Sequence, residues 1–258
     1  MITSTSNPKI KYVRRLLADR RFRERERAYV IEGTRWLAEL VQFDLTPQLV
    51  LATVEWLQAD AHQSLLASLS GPIVTVSDQV LAHASDTASP AGVLAVVPQV
   101  ERLLPRNPSL VLILDRLGNP GNLGTILRTA AAAGADGVLL SPGSVDLYNP
   151  KVIRGAMGAH LRLPVQALSW SAIADMVNGL TVWLAAAAGD ARAYDTVDWR
   201  RPAALIIGSE AAGAGPQAQR LAGGTVAIPM ARATESLNAA MAAAILLFEA
   251  ARQRRLSS

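Results

Sequence analysis

Residues 110–128 read LVLILDRLGNPGNLGTILR. The opening LVLIL is an unbroken apolar run without period-2 alternation, so both of its faces need cover, as in a buried parallel strand. It ends at Asp115 and passes through Gly118, Gly121 and Gly124 into a helical pattern carrying Arg128. Strand carboxyl ends in open α/β sheets border a crevice, and a Gly-rich turn into a helix points backbone N–H groups at whatever binds there. The glycine spacing is not that of the dinucleotide G-x-G-x-x-G fingerprint, Pro120 removes an amide that a pyrophosphate would use, and no Walker lysine follows. The stretch therefore predicts an α/β ligand crevice of another kind. A helix beginning near Asn122 would bring Asn122 and Arg128 to the same mouth.

Similar apolar runs recur at 137–140, 181–185, 204–207 and 225–228, separated by helical patterns over 123–133, 150–159, 171–178, 217–221 and 237–254. That alternation predicts a doubly wound α/β domain with a parallel sheet over residues 110–258. Upstream, helices over 8–20, 34–42 and 54–69 alternate with strands at 29–31, 49–51, 73–76 and 92–97, a smaller α/β domain over residues 1–99. Between the two, Pro98, Pro105 and Pro108 mark a linker, bounded here at 100–109.

Half of the 258 residues are hydrophobic and 18% are charged, enough apolar surface for a sizeable core and too much for wholesale disorder. There is no cysteine, which excludes disulfides, a thiolate nucleophile, iron–sulfur clusters and Cys-based zinc sites. His62, His83 and His160 are scattered, so no metal is expected. The apolar runs are far shorter than the roughly 18–20 residues that span a bilayer, and the N-terminus lacks the apolar core of a secretory signal. No membrane association and a cytoplasmic location are expected.

The charge is polarised. Ten basic residues against four acids lie between Lys9 and Arg35, whereas the rest of the chain is slightly acidic. Arginine and lysine interleaved with Tyr12, Phe22 and Tyr29 suit a phosphate-backbone contact, with Lys9, Lys11, Arg14, Arg15 and Arg35 as candidate RNA-binding residues. The competing reading is a solvated helix whose Arg23-Glu24-Arg25-Glu26-Arg27 run pairs with itself. Arg252, Arg254 and Arg255 end the last helix, where cations suit the helix dipole.

Two further motifs sit at strand ends. Leu205-Ile206-Ile207 runs into Gly208-Ser209-Glu210, which puts a carboxylate either at the crevice or on a surface turn. Ile228-Pro229-Met230 is followed by Thr234-Glu235-Ser236-Leu237-Asn238 and a long apolar helix, for which Ser236 would serve as N-cap. Asn238, just inside that helix, is a mediocre helix former and so invites a functional reading.

Asn122 with Arg128, Gly208-Ser209-Glu210, and Ile228-Pro229-Met230 with Ser236-Leu237-Asn238 resemble, in order and separation, the three motifs of the SpoU-type (TrmH-like, SPOUT class) RNA 2′-O-ribose methyltransferases. The resemblance spans Leu110 to Arg252. Residues 1–99, with Ile2-Thr3-Ser4, Asn7-Pro8-Lys9 and Ile31-Glu32-Gly33, are similar to the substrate-binding domain of the ribosomal RNA branch. The resemblance implies a SPOUT α/β trefoil knot, a homodimer with its active sites at the subunit interface, and S-adenosylmethionine as methyl donor. Gly208, Ile228 and Leu237 would contact the donor, with Ala185, Ala186, Ala187 and Met230 beside them. Asn122, Arg128, Glu210, Ser236 and Asn238 would form the polar catalytic group. Members often have glycine after the motif-two glutamate, whereas Ala211 and Ala212 stand here before Gly213.

The implied substrate is 23S ribosomal RNA. Transfer RNA, a non-catalytic RNA-binding or ribosome assembly protein, and a nicotinamide-dependent oxidoreductase are the alternatives. Joint presence of Asn122, Glu210 and Asn238 argues against the binding protein, and the missing fingerprint against the oxidoreductase. A guanidinium keeps its proton at any working pH, so Arg128 is expected to clamp a substrate phosphate and stabilise the developing alkoxide. Asn122 and Asn238 would position the ribose or hold Arg128, and Glu210 would fix Arg128 or a neighbouring amide.

Overall fold

A computed structural model describes residues 1–186, 190–210, 212–231 and 236–256. Ala187, Ala211, Thr234 and Glu235, named above, lie outside the described residues. The chain forms two compact units, residues 1–100 with 148–161 and residues 101–147 with 162–258.

The first unit is built on strands β1 (Ala28–Glu32), β2 (Leu49–Ala52), β3 (Ile73–Thr75) and β4 (Val93–Pro98), in the order β1-β4-β2-β3. β4 runs antiparallel to β1 and β2, while β2 and β3 are parallel. Alternate strand residues point to opposite faces and both faces are buried. Val30, Leu51, Leu94 and Val96 pack with Ile10, Val13 and Leu16 of α1 (Pro8–Ala18), Phe22 of α2 (Arg20–Glu26), and Val80 and Leu81 of α6 (Asp78–Ala84). Tyr29, Ile31, Val50 and Val93 pack with Trp36, Leu37 and Leu40 of α3 (Thr34–Gln42), Trp56 of α4 (Val54–Gln58), and Ile153 of α8 (Pro150–Ala156). Leu65 and Leu66 of α5 (Gln63–Ser68) lie against the same cluster.

Two expected helices divide. The one over 8–20 breaks at Asp19, whose extended backbone ends α1 while its carboxylate accepts from the Phe22 N–H at 3.1 Å and caps α2. The one over 54–69 breaks at Ala59, which is extended (ψ 124°), and continues as a 3-10 turn and α5. Helix α6, not expected from the pattern, starts at a Ser77 cap that accepts from the Val80 N–H.

In the second unit seven strands lie in the order β7-β6-β5-β10-β8-β11-β9, every pairing parallel. These are β5 (Leu110–Leu114), β6 (Gly137–Leu140), β7 (Val165–Ala167), β8 (Thr181–Ala186), β9 (Arg192–Ala193), β10 (Ala203–Ile207) and β11 (Gly224–Ala227). The central strands β5 and β10 are buried throughout, which is why their sequences show no alternation. β7 and β9 are the sheet edges, too short to stand out as sequence patterns. The helices are α7 (Pro120–Ala132), α10 (Trp170–Met176), α11 (Pro216–Leu221) and α12 (Ala239–Arg255), with α12 packed on α7, whereas α9 (Ala159–Arg162) lies, up to Leu161, in the segment that belongs with the first unit. The helix expected over 150–159 divides into α8 and α9 at Met157 and Gly158, both at positive φ.

The chain visits β8 first, then β10 and β11 on either side of it. At the far end of α12, Arg254 donates to the Trp199 carbonyl at 2.8 Å, to the Ser109 carbonyl at 2.7 Å and to Ser109 Oγ at 2.8 Å. Gln253 donates to the Val197 carbonyl and accepts from the Trp199 N–H. The basic C-terminal cluster thus ties the last helix to the start of β5. Among the described residues no helix is long and apolar enough to cross a membrane.

Candidate active site

The carboxyl ends of β8, β10 and β11 open into a cavity of about 490 Å³, within the range of about 300–1,000 Å³ usual for small-molecule sites. Ala185 and Ala186 from β8, Gly208 after β10, Ile228 and Met230 after β11, and Leu237 before α12 all line it. The cavity thus gathers the described residues expected at the methyl donor. Ser209, Glu210, Ser236 and Asn238 also face it, and Ala239, Ala242 and Leu246 of α12 supply an apolar wall.

Glu210 sits on a tight loop. Ser209 and Gly213 exchange two backbone hydrogen bonds, at 3.0 and 2.9 Å, and a Cβ on Gly208 would fall 2.6 Å from the Ala214 nitrogen. At the mouth, Asn122 Nδ2 donates to Glu210 Oε1 at 2.8 Å, the Gly118 N–H donates to Oε2 at 3.3 Å, and Asn238 Nδ2 donates to Asn122 Oδ1 at 3.1 Å. Three motifs far apart in sequence are thereby joined into one relay, Asn238 to Asn122 to Glu210. Partial burial pushes the Glu210 carboxyl upward, but donation from the Asn122 amide and from the backbone N–H groups of Glu210, Gly118 and Asn119 outweighs it and holds the pKa below the usual carboxylate value. Glu210 is therefore an anion at neutral pH, with its two oxygens engaged by the Asn122 amide and the Gly118 N–H.

Several expectations need correction. Helix α7 begins at Pro120, not near Asn122; Asn119 is its N-cap and accepts from the Gly121 and Asn122 N–H groups at 2.8 and 3.2 Å. Asparagine directly before a proline that opens a helix is a capping signal, the one sequence cue that marks Asn119 as part of the site's framework. Asn122 and Arg128 lie six positions apart on that helix, about 120° apart around its axis at 3.6 residues per turn. Arg128 is exposed, does not line the cavity, and has no hydrogen bond or ion pair among the described residues. Glu210 accordingly holds Asn122 and not Arg128, and the two asparagines hold each other. Asn238, not Ser236, is the N-cap of α12, its Oδ1 accepting from the Ala240 and Met241 N–H groups at 2.9 and 3.3 Å. Its Nδ2 remains available to the relay.

Among the described lining residues no lysine or arginine occurs, and one carboxylate does. A nucleoside di- or triphosphate would be uncompensated there. A ligand with a positive centre, apolar edges and a base that can hydrogen-bond to strand-end backbone fits this donor set. No group of His, Cys, Asp and Glu among the described residues could hold a metal ion.

In the first unit Lys9, Lys11, Arg14, Arg15 and Arg35 are all exposed. Arg14 reaches the Ser85 carbonyl at 3.4 Å, and Arg15 lies 4.3 Å over the Phe22 ring and 3.8 Å from Asp19. Arg20–Glu24 and Arg25–Glu26 pair at 2.8 Å, so part of the basic run does satisfy itself. Arg23 is only 4% exposed and donates to the Leu16 and Leu17 carbonyls, which closes the end of α1 and removes it from any phosphate-contact surface.

Fold and site together define a parallel α/β enzyme with an apolar pocket that has no lysine or arginine among its described lining residues and an Asn–Asn–Glu relay at its mouth. Residues 109–248 match the SpoU rRNA Methylase family and residues 7–95 match the MRM3-like substrate binding domain; the chain belongs to the SpoU rRNA methylase family. It is 36% identical to an uncharacterized tRNA/rRNA methyltransferase of Synechocystis sp., across 100% of this chain and 95% of that one. It is 31% identical to the 23S rRNA (uridine(2479)-2′-O)-methyltransferase of Streptomyces viridochromogenes, across 97% of this chain and 92% of that one. The crystal structure of the SpoU methyltransferase AviRb from Streptomyces viridochromogenes with the cofactor AdoMet superposes with a TM-score of 0.89 at 28% identity, over 96% of this chain and 98% of that chain.

Proposed function

We propose that this protein is an S-adenosylmethionine-dependent methyltransferase that modifies a ribose 2′-hydroxyl of 23S ribosomal RNA. The observation that carries the reading is the relay Asn238–Asn122–Glu210 at the mouth of a cavity with no basic lining among its described residues. Residues 1–99 present the RNA, 100–109 link, and 110–258 carry the chemistry. Ala185, Ala186, Gly208, Ile228, Met230 and Leu237 hold the donor, which when bound supplies a sulfonium methyl group for transfer.

The chain's own residues orient the ribose and offset charge, while the proton of the 2′-hydroxyl leaves to water as the methyl group is transferred. In-line transfer needs the ribose held in one orientation, and Asn122 and Asn238, mutually bonded and anchored on anionic Glu210, form a rigid edge for it. Ser236 faces the same cavity and adds a hydroxyl to that edge. Arg128, exposed and without a partner among the described residues, is free to take a substrate phosphate in bidentate fashion and to offset charge developing on the 2′-oxygen. Lys9, Lys11, Arg14, Arg15 and Arg35 contribute sequence-independent phosphate contacts.

The protein works as a cytoplasmic homodimer in this reading. Met241 and Phe248 lie seven positions apart on α12 and are 54% and 50% exposed, an apolar pair on one face of the helix suited to a second copy.

The test offers the purified protein labelled donor together with ribosomal RNA, and separately transfer RNA, each unmodified at the target. Alkali-resistant, labelled dinucleotides from ribosomal RNA are expected. Label confined to transfer RNA would overturn the substrate, and no ribose label in either would overturn the reaction.

A further inference from the structure

Asp115 ends β5 and is 1% exposed, yet it does not line the cavity. Its two oxygens are both engaged. Oδ2 accepts from the Gly215 N–H at 2.6 Å, and Oδ1 accepts from Ser141 Oγ at 3.0 Å. Ser141 Oγ in turn accepts from the Arg116 N–H at 2.9 Å. Arg116 stands at φ 52°, a left-handed conformation uncommon for a residue with a side chain. In that conformation its Nε lies 3.4 Å from Asp115 Oδ1 and its guanidinium reaches the Gly213 carbonyl at 3.4 Å. A Cβ on Gly215 would fall 2.9 Å from the Arg116 guanidinium and 3.2 Å from Asp115 Oδ2, so a side chain there would press on both.

These contacts converge on the loop that carries Glu210. The outgoing limb of that loop, Gly213 to Gly215, is gripped by Arg116 and Asp115, and its tip is held by Asn122. Gly208, Ser209, Glu210, Gly213 and Ala214 of the same loop form one wall of the cavity. A buried carboxylate that loses its position would leave the Gly215 N–H without its acceptor and the Ser141 hydroxyl with only the longer contact to the Pro142 carbonyl at 3.4 Å. We infer that Asp115, with the Arg116 guanidinium beside it, is a positioning residue for the methyl donor, setting the shape of the wall formed by Gly208–Glu210 and Gly213–Ala214 without touching the ligand. The inference rests on the proposed identity of the cavity as the donor site.

The experiment measures S-adenosylmethionine binding by calorimetry, and ribosomal RNA binding by filter retention, for the full-length chain and four variants. Ala242→Phe, which fills the cavity, tests the site itself, and its failure to weaken donor binding would overturn the cavity reading and the inference resting on it. With the cavity established, Asp115→Ala is expected to weaken donor binding by about tenfold or more, the scale of one lost buried acceptor, while RNA affinity is unchanged. Asp115→Asn, which keeps one acceptor for the Gly215 N–H, should recover part of that loss, and Arg116→Gln should produce a smaller one. Unchanged donor affinity in Asp115→Asn and Arg116→Gln, or in a folded Asp115→Ala, would overturn the inference. Equal weakening of donor and RNA binding would overturn it too, because that pattern marks general destabilisation. If Asp115→Ala does not fold, Asp115→Asn and Arg116→Gln decide.

Discussion

Asn238 performs two tasks that substitution can separate. Its Oδ1 accepts from two N–H groups that open α12, and its Nδ2 donates to Asn122. Asn238→Ala removes both, and a lost N-cap costs typically about 1 kcal/mol, a fall in Tm of about 2–4 °C for a chain of this size. Asn238→Asp keeps an acceptor at the cap and adds a charge favoured at a helix N-terminus by about 0.3–1 kcal/mol, so Tm should stay or rise by up to about 4 °C. The aspartate has no donor for Asn122 Oδ1. If the Asn122 amide turns to satisfy it, the 2.8 Å bond to Glu210 is given up. Either way the relay is broken, and misplacement on this scale costs up to about 100-fold in rate. The assay is single-turnover transfer of labelled methyl to ribosomal RNA at saturating donor, alongside thermal melting. Both variants should lose transfer, and only Asn238→Ala should lose stability. Transfer in Asn238→Asp within about twofold of the parent would refute the relay, and equal destabilisation of the two variants would refute the cap.

Arg128→Lys should keep its melting temperature, because Arg128 makes no hydrogen bond or ion pair among the described residues, yet lose about 10- to 100-fold in transfer if planar bidentate recognition of phosphate is its task; normal turnover would show that a point charge suffices. Gly208→Ala forces a methyl to 2.6 Å from the Ala214 nitrogen, and overpacking of this kind costs about 1–3 kcal/mol, readable as weaker donor binding in calorimetry. Because the folded-state pKa of Glu210 is lowered, its anionic form contributes stability above the unfolded value of about 4.3, and that contribution is lost as pH falls through the folded value. Denaturant titrations of the parent and Glu210→Gln should therefore differ at pH 7 and converge in acid; a gap that persists at low pH would contradict the assignment. Lys11→Ala should reduce the salt slope of RNA binding by about one, whereas Arg23→Ala should leave the slope alone and lower stability, since two carbonyls at the end of α1 lose their donor.

The strands of the second unit were readable because burial on both faces leaves unbroken apolar runs, as in Leu110–Leu114 and Ala203–Ile207. Edges escaped for the converse reason, since two or three residues at β9 and β7 carry no period at all. The breaks at Asp19 and Ala59 were hidden because neither residue is a glycine or proline, and a single extended residue leaves the surrounding apolar spacing intact. At the site, motif residues were found as types, but their partners were not. A spacing of six along a helix suggested that Asn122 and Arg128 act side by side, whereas the partners of Asn122 come from 88 and 116 positions away. No local pattern encodes such pairings. Arg23 likewise counted as surface charge until its burial between two carbonyls was seen.

The segment 148–161 has a practical bearing on modularity. The chain passes from the first unit to the second after residue 100, returns at 148, and leaves again after 161. The detour brings back Ile153 and Leu161, which are 2% and 3% exposed and complete the apolar cluster around Tyr29 and Trp36. The amino-terminal module is therefore not a cassette that can be lifted out by one cut in the linker. A fragment ending at residue 99 would present an uncovered apolar face to water, and a chimera that grafts a relative's amino-terminal hundred residues would mate them with a foreign helix. Retargeting such an enzyme to another RNA by domain exchange requires two pieces of chain to travel together, and sequence drift in one constrains drift in the other.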